Sequence, residues 1–164
     1  MNSPEVKYGT FRAGEHDFVN CCLVFEAGVI GDYDQAVLIG SFILAARDLV
    51  ERMSAGRDVV FKEGVSVSSA FNALYDCIWN DDLSSISGLL ANGSDVADAK
   101  HSVAIPIGIE SFDGEMAFEF RIGGEEVFAW RDWSSKEVKW TGLGRRRVGE
   151  LFRAVVFDLE RNQS

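Results

Sequence analysis

The feature that most constrains the fold is a change of hydrophobic period along the chain. Between residues 41 and 80 apolar side chains recur at helical spacing; from Ser102 to Thr141 they alternate with period two. Helices and strands are therefore segregated in sequence instead of alternating. That pattern expects an α+β fold, an antiparallel sheet packed against about three helices, and excludes a doubly wound parallel sheet.

In the helical stretch, Ser41 is placed to cap a helix whose stripe is Phe42, Ala46, Leu49, Val50 and Met53. Arg47/Glu51 and Asp48/Arg52 form i,i+4 pairs on its other face, and Gly56 ends it. A second helix is expected over Ser68 to Asn80, with Phe71, Leu74 and Ile78 inward, followed by a short helix around Leu83 to Leu90 and a polar loop over 92–101. A last helix is expected over Arg146 to Arg161, with Val148, Leu151, Phe152, Val155, Val156 and Leu159 on its apolar side.

Four C-terminal strands are expected to form a meander. Val103 to Ile109 alternates and leads into Phe112-Asp113-Gly114, a type I′ hairpin signal. Met116 to Ile122, Glu125 to Trp133 and Lys136 to Thr141 follow, with Gly123-Gly124 and Ser134-Ser135 as turns, and Pro106 marks an edge or bulge. At the N-terminal end, Phe18 to Phe25 and Val29-Ile30 read as a hairpin turning at Ala27-Gly28, with Ala36 to Ile39 as a further short strand. Between them lies a Gly31-Asp32-Tyr33-Asp34 corner.

At 164 residues the chain suits a single globular domain, 1–164, with a full hydrophobic core. The longest apolar stretch, Ala36 to Ala46, is broken by Gly40 and Ser41 and falls short of the roughly 20 residues that span a bilayer. Met1 to Glu5 lacks a basic start followed by an apolar run, so no signal peptide is expected and the setting is read as cytoplasmic. Three cysteines, two of them adjacent (Cys21 and Cys22), do not make a disulfide framework. Side-chain alternation expects one of the adjacent pair in the core and the other outside it.

The net charge of −10 is unevenly spread: residues 1–100 carry 15 acidic and 7 basic side chains, and residues 101–164 carry 11 and 9. Asp76 to Asp98 holds five aspartates and no basic residue. Such a surface repels nucleic acid and draws basic partners, or serves solubility alone.

Catalytic and metal chemistry find little purchase. His16 and His101 both lie in polar connecting segments, and no Gly-x-Ser-x-Gly elbow occurs. Cys21, Cys22 and Cys77 lack metal-ligand spacing, and the Asp32/Asp34 and Asp81/Asp82 carboxylates lack the further ligands of a calcium loop. No catalytic residue, metal or cofactor is expected. The stretch Gly142 to Gly149, with Arg145, Arg146 and Arg147 before a helix, offers an anion-binding turn, though without a Walker lysine or dinucleotide spacing.

Partner binding has better candidates. Asp81 and Asp82 follow a helix C-terminus, where the dipole disfavours negative charge. Trp130 and Trp133 are an odd number of residues apart, so in an unbulged strand they face opposite sides: either one is turned outward beside Arg131 and Asp132 as a contact candidate, or both are packed under helices.

The run Val29-Ile30-Gly31-Asp32-Tyr33-Asp34, then Ile39-Gly40-Ser41 opening a helix, resembles a family of bacterial polymorphic-toxin immunity proteins, immunity protein family forty-two. The Val103 to Ile109 segment, Phe112-Asp113-Gly114, two more strands and a terminal helix are also similar. The resemblance covers about residues 18–53 and 103–160 and leaves 54–100 without a counterpart. It implies a small α+β protein that binds and neutralises a cognate toxin without catalysis of its own. An acidic inhibitor suits a basic nuclease toxin. The expected contact residues are Asp32, Tyr33, Asp34, Trp79, Asp81 and Asp82, and neither nucleic acid nor membrane is an expected partner.

Overall fold

The computed structural model describes residues 4–143 and 147–163. The fold is α+β, with one antiparallel sheet, one mixed sheet and helices in two compact units. The first unit comprises 1–51, 105–115 and 144–164; the second comprises 52–104 and 116–143.

In the first unit, β1 (Glu5–Ala13) and β2 (His16–Phe25) form a long hairpin, in register from Ala13↔His16 to Glu5↔Val24. The two-residue turn has Gly14 at φ 63°, where glycine avoids a Cβ penalty. On its other edge β2 pairs with β3 (Gly28–Ile30) and β4 (Val37–Leu38). Val19, Cys21, Leu23 and Phe25 are buried on one face of β2, as the alternation expects. Helix α1 (Ile39–Ala55) crosses the division between the units near its C-terminal end. Phe42 of α1 lies 6.4 Å from Phe152, whose ring also meets Phe112 at 6.0 Å. Arg47 bridges to Glu160 on the surface, a contact of small energetic weight.

Two expectations for this unit change. Ser41 sits inside the first turn of α1, which begins at Ile39, so it is not the N-cap. Cys21 and Cys22 are both buried free thiols. Burial pushes the Cys21 thiol up to about 12, with the neighbouring Cys22 adding to the shift. Alternation still puts the two on opposite faces; what it cannot foresee is that both faces of β2 are covered at this point. Strand β1 also lay outside the sequence expectation, because Gly9, Thr10 and Arg12 dilute its apolar pattern.

In the second unit, β6 (Ala117–Ile122), β7 (Glu125–Arg131) and β8 (Val138–Gly142) form an antiparallel meander, with Ile122↔Glu125 closing the Gly123-Gly124 turn. The fourth strand is not Val103 to Ile109 but β5 (Val60–Phe61), parallel to β6 and too short to show a period. Val103 makes only a bridge to Phe118. Beyond it Pro106 lacks an N–H and Gly108 turns to φ 81°, so the chain leaves the sheet. Asp113 at φ −62°, ψ 132° and Gly114 at φ 75° form a type II turn after a 3-10 turn (Glu110–Phe112), in place of the expected type I′ hairpin.

Helix α2 (Val67–Trp79) is capped by Ser66, whose Oγ accepts from the Ser69 N–H at 3.1 Å. It packs on the sheet through Phe71 against Phe118 at 4.9 Å, while Phe61 meets Phe120 at 5.4 Å. A short turn α3 (Ser84–Ser87) buries Ile86, and a 3-10 segment (Val96–Ser102) occupies the expected polar loop. Gly56 follows α1, but not by adopting a left-handed cap. The His101 ring sits where its Cβ would be, held by an Nδ1–H bond to the Arg52 carbonyl at 2.8 Å. The last helix, α4 (Val148–Asn162), belongs to the first unit and buries the expected stripe except Leu151, which is half-buried. No described helix is long and apolar enough to cross a membrane.

Candidate partner-binding surface

The six expected contact residues fall into two clusters, Asp32, Tyr33 and Asp34 in the first unit and Trp79, Asp81 and Asp82 in the second. Each cluster has its own local logic.

In the first, Gly31 takes φ 90° and its N–H donates to Glu115 Oε1 at 3.0 Å. The Asp32 N–H donates to the Ser111 carbonyl at 2.6 Å. The Asp32 carboxylate then accepts from the Asp34 N–H at 2.9 Å, an Asx turn. Asp32 therefore builds the corner. The Tyr33 carbonyl accepts from Asn20 Nδ2 at 2.7 Å, and the Lys7 ammonium sits 4.2 Å from the Tyr33 ring centroid. Its hydroxyl lies 2.8 Å from where a Cβ on Gly9 would stand, which explains a glycine in mid-strand. Tyr33 is thus laid over the β1–β2 ribbon, and Asp34 remains exposed at the tip. Among the described residues, the Asp34 carboxylate takes no hydrogen bond or ion pair.

In the second cluster the end of α2 is closed by its own backbone. The Asn80 and Asp82 amides both donate to the Asp76 carbonyl, at 3.0 and 3.1 Å. Asp81 takes φ 51°, the left-handed conformation that glycine usually supplies at a helix end and that Asp tolerates better than most residues. Asp82 Oδ1 accepts from the Ser84 hydroxyl at 2.5 Å and the Ser84 N–H at 3.0 Å. These bonds hold its carboxyl below the usual carboxylate range. The two acids thus pay for an unfavourable helix dipole with local backbone order. The Asp81 carboxylate itself takes no hydrogen bond or ion pair among the described residues.

Beside these acids Trp79 is 42% exposed and stacked on Tyr75 at 5.6 Å, one helical turn back. The Arg131 guanidinium lies 5.0 Å from the Tyr75 ring and 5.2 Å from Phe71, and its Nη2 donates to Asn72 Oδ1 at 3.3 Å. Arg131, Tyr75 and Trp79 thus form a continuous ladder of stacked groups, with exposed Leu83 just beyond Asp82 in the chain. Tyr75 and Leu83 were not among the expected contacts. The i,i+4 spacing of Tyr75 and Trp79 was the available signal; the approach of Arg131 from another element had none.

The outward tryptophan of the pair is Trp133, 53% exposed, while Trp130 is buried. Its loop is internally braced. Asp132 Oδ2 accepts from the Ser134 hydroxyl at 2.8 Å, the Ser135 hydroxyl at 2.6 Å and the Ser135 N–H at 3.1 Å, with Lys139 Nζ 3.4 Å away. The serine bonds, Ser135 first, hold the Asp132 carboxyl far below its ordinary value. A depressed carboxylate stabilises the fold above its unfolded-state value, near pH 4, and loses that contribution only as pH falls through the lower folded value. The fluorescence of Trp133, read as the difference between the protein and Trp133→Phe, is therefore expected to stay constant down through pH 4 and to change only at lower pH. A transition centred at or above pH 4 would show that the brace is absent.

Gly144, Arg145 and Arg146, the centre of the possible anion-binding turn, lie outside the described residues. Arg147 takes the N-cap position of α4 with extended backbone. No group of three or more His, Cys, Asp or Glu placed to hold a metal ion occurs among the described residues. His16 is exposed at the start of β2, and His101 is engaged with Arg52 as described. No protein-family model, curated protein or solved structure matches the chain.

Proposed function

We propose that this chain is an immunity protein: it binds a cognate bacterial toxin in the cytoplasm and neutralises it by occluding the active site or substrate groove, with no catalysis of its own. The observation that carries this reading is the second-unit cluster, where a half-exposed Trp79 is held on Tyr75 beside the exposed acids Asp81 and Asp82. Aromatic anchors with a rigid backing lose little side-chain entropy on binding and are enriched among residues that dominate interface energetics. Acidic groups beside them steer a basic partner and compete with the nucleic acid that a nuclease toxin would hold. The resemblance to immunity proteins of polymorphic toxin systems supports the same reading, as does the net charge of −10.

Co-expression with the product of a neighbouring gene tests it. The expected result is rescue of growth from a toxic neighbour and co-purification of the two chains. No toxic neighbour, or a toxic one neither neutralised nor bound, sinks the reading.

The cluster has its own test. Asp81→Asn with Asp82→Asn preserves the left-handed residue and a hydrogen-bond acceptor for Ser84 while removing both charges. Toxin association should slow by about tenfold at low salt, with a smaller effect at high salt. Trp79→Ala should cost about 2 kcal/mol or more of binding. Unchanged affinity in both variants, with intact circular dichroism, would remove this patch from the interface.

A further inference from the structure

Strand β1 is nine residues long and, among the described residues, is paired on one side only. Its register with β2 runs unbroken from Ala13↔His16 to Glu5↔Val24. Ala13 and His16 flank a two-residue turn, so they exchange the narrow pair of ladder hydrogen bonds. Counting back in twos, Phe11, Gly9, Lys7 and Glu5 also turn their backbone groups toward β2. The N–H and C=O of Val6, Tyr8, Thr10 and Arg12 therefore point to the open edge.

The side chains of Tyr8, Thr10 and Arg12 face the same side of the sheet as the buried Cys21 and Val19, their partners or neighbours in the register. There they line an open groove of about 710 Å³ whose far wall is the last turn of α4, including Asp158, Asn162 and Gln163. The Tyr8 hydroxyl donates to Asp158 Oδ2 at 2.5 Å, which fixes the floor of the groove. A row of outward ladder groups beside a side-chain groove is the geometry by which sheets accept an added strand: main-chain bonds supply affinity and the groove receives alternate side chains.

We propose that β1 is a docking edge for an extended segment of a partner polypeptide, one that adds as a further strand and places an acidic side chain opposite Arg12. Two observations favour a foreign segment over a second copy of this chain. Each copy carries −10, so two copies repel. A two-fold antiparallel pairing also matches only residues of like parity. Arg12 then never meets Glu5, and Lys7 meets it only in a register that leaves most of the strand unpaired. Of the charged residues on β1 itself two are basic and one acidic, Lys7 and Arg12 against Glu5, while Asp17 and Asp158 also line the groove. The Arg12 side chain is largely exposed and its ion pair with Asp17 is long, 4.0 Å, so an incoming carboxylate can compete with Asp17 for it.

The probe is a nine-residue peptide of alternating threonine and valine with one glutamate, compared with the same peptide N-methylated at alternate residues on its pairing edge. Amide hydrogen exchange reads the result. In the free protein the Val6, Tyr8, Thr10 and Arg12 amides should exchange quickly while those of Lys7, Gly9 and Phe11 are protected. The unmethylated peptide should protect the even-numbered set, and the methylated one should not. Thr10→Pro removes an outward donor without breaking a bond to β2 and should weaken peptide binding by about tenfold. If that variant fails to fold, the comparison of the two peptides decides by itself. Equal binding of both peptides, or no protection by either at about 1 mM, overturns the proposal. So does a dimer in solution that Thr10→Pro converts to monomer, because the occupant of the edge would then be a second copy.

Discussion

Replacing Phe152 with alanine is expected to destabilise the first unit by about 3–5 kcal/mol, the range for deleting a fully buried aromatic ring. Phe152 is wholly buried, and its ring meets Phe42 of α1 and Phe112 of the 105–115 segment. One side chain thus joins three stretches far apart in sequence. Their backbones are fixed by different elements, so the cavity cannot close by a small shift of one of them. Urea unfolding followed through the amides of β2 measures the effect. A loss below about 1 kcal/mol would mean that the site collapses around the deletion, and that this aromatic cluster does not organise the unit.

The second large effect is expected at Gly31. Its φ of 90° is one that side-chain-bearing residues rarely adopt, and a Cβ there would stand 2.8 Å from Phe112 Cε1 and 2.9 Å from the Ser111 carbonyl oxygen. The corner cannot relax freely, because the Gly31 amide is bound to Glu115 and the Asp32 amide to Ser111. The backbone strain costs about 1 kcal/mol and overpacking about 1–3 kcal/mol, so Gly31→Ala should lower stability by about 2–4 kcal/mol. Gly14→Ala is the control, since Gly14 also has positive φ but meets nothing within 4 Å. It isolates the backbone part of the cost, about 1 kcal/mol. Equal midpoints for the two variants in urea would show that the contact with Phe112 and Ser111 carries no weight.

The period of the apolar residues was enough, without tertiary information, to place α1, α2 and α4 within two residues at most ends and to identify the β6–β7 hairpin with its Gly-Gly turn. These elements bury a wide stripe or a whole face, and that requirement is written directly into side-chain spacing. The candidate contacts were legible in a weaker sense. Asp81 and Asp82 stood out by opposing the helix dipole, and parity set Trp130 and Trp133 on opposite sides without saying which of them is exposed. The sequence could not show that Asp32 and Asp82 spend their carboxylates on turns, because the partner amides are backbone groups that any residue carries. That left Asp34 and Asp81 as the acids without a local bond.

What the sequence determined by itself is the class: segregated helices and strands, an acidic surface, and the lengths of the main helices. What only the tertiary structure decided is where short or weakly patterned segments go. Val103 to Ile109 alternates like a strand, yet it leaves the sheet at Pro106 and Gly108, and two residues, Val60 and Phe61, take the edge of β6 instead. Cys22 is buried although its alternation partner Cys21 already faces the core. The physical reason is common to these cases. Periodicity reports which side of a segment is apolar, whereas pairing and burial depend on what arrives from elsewhere in the chain to cover it.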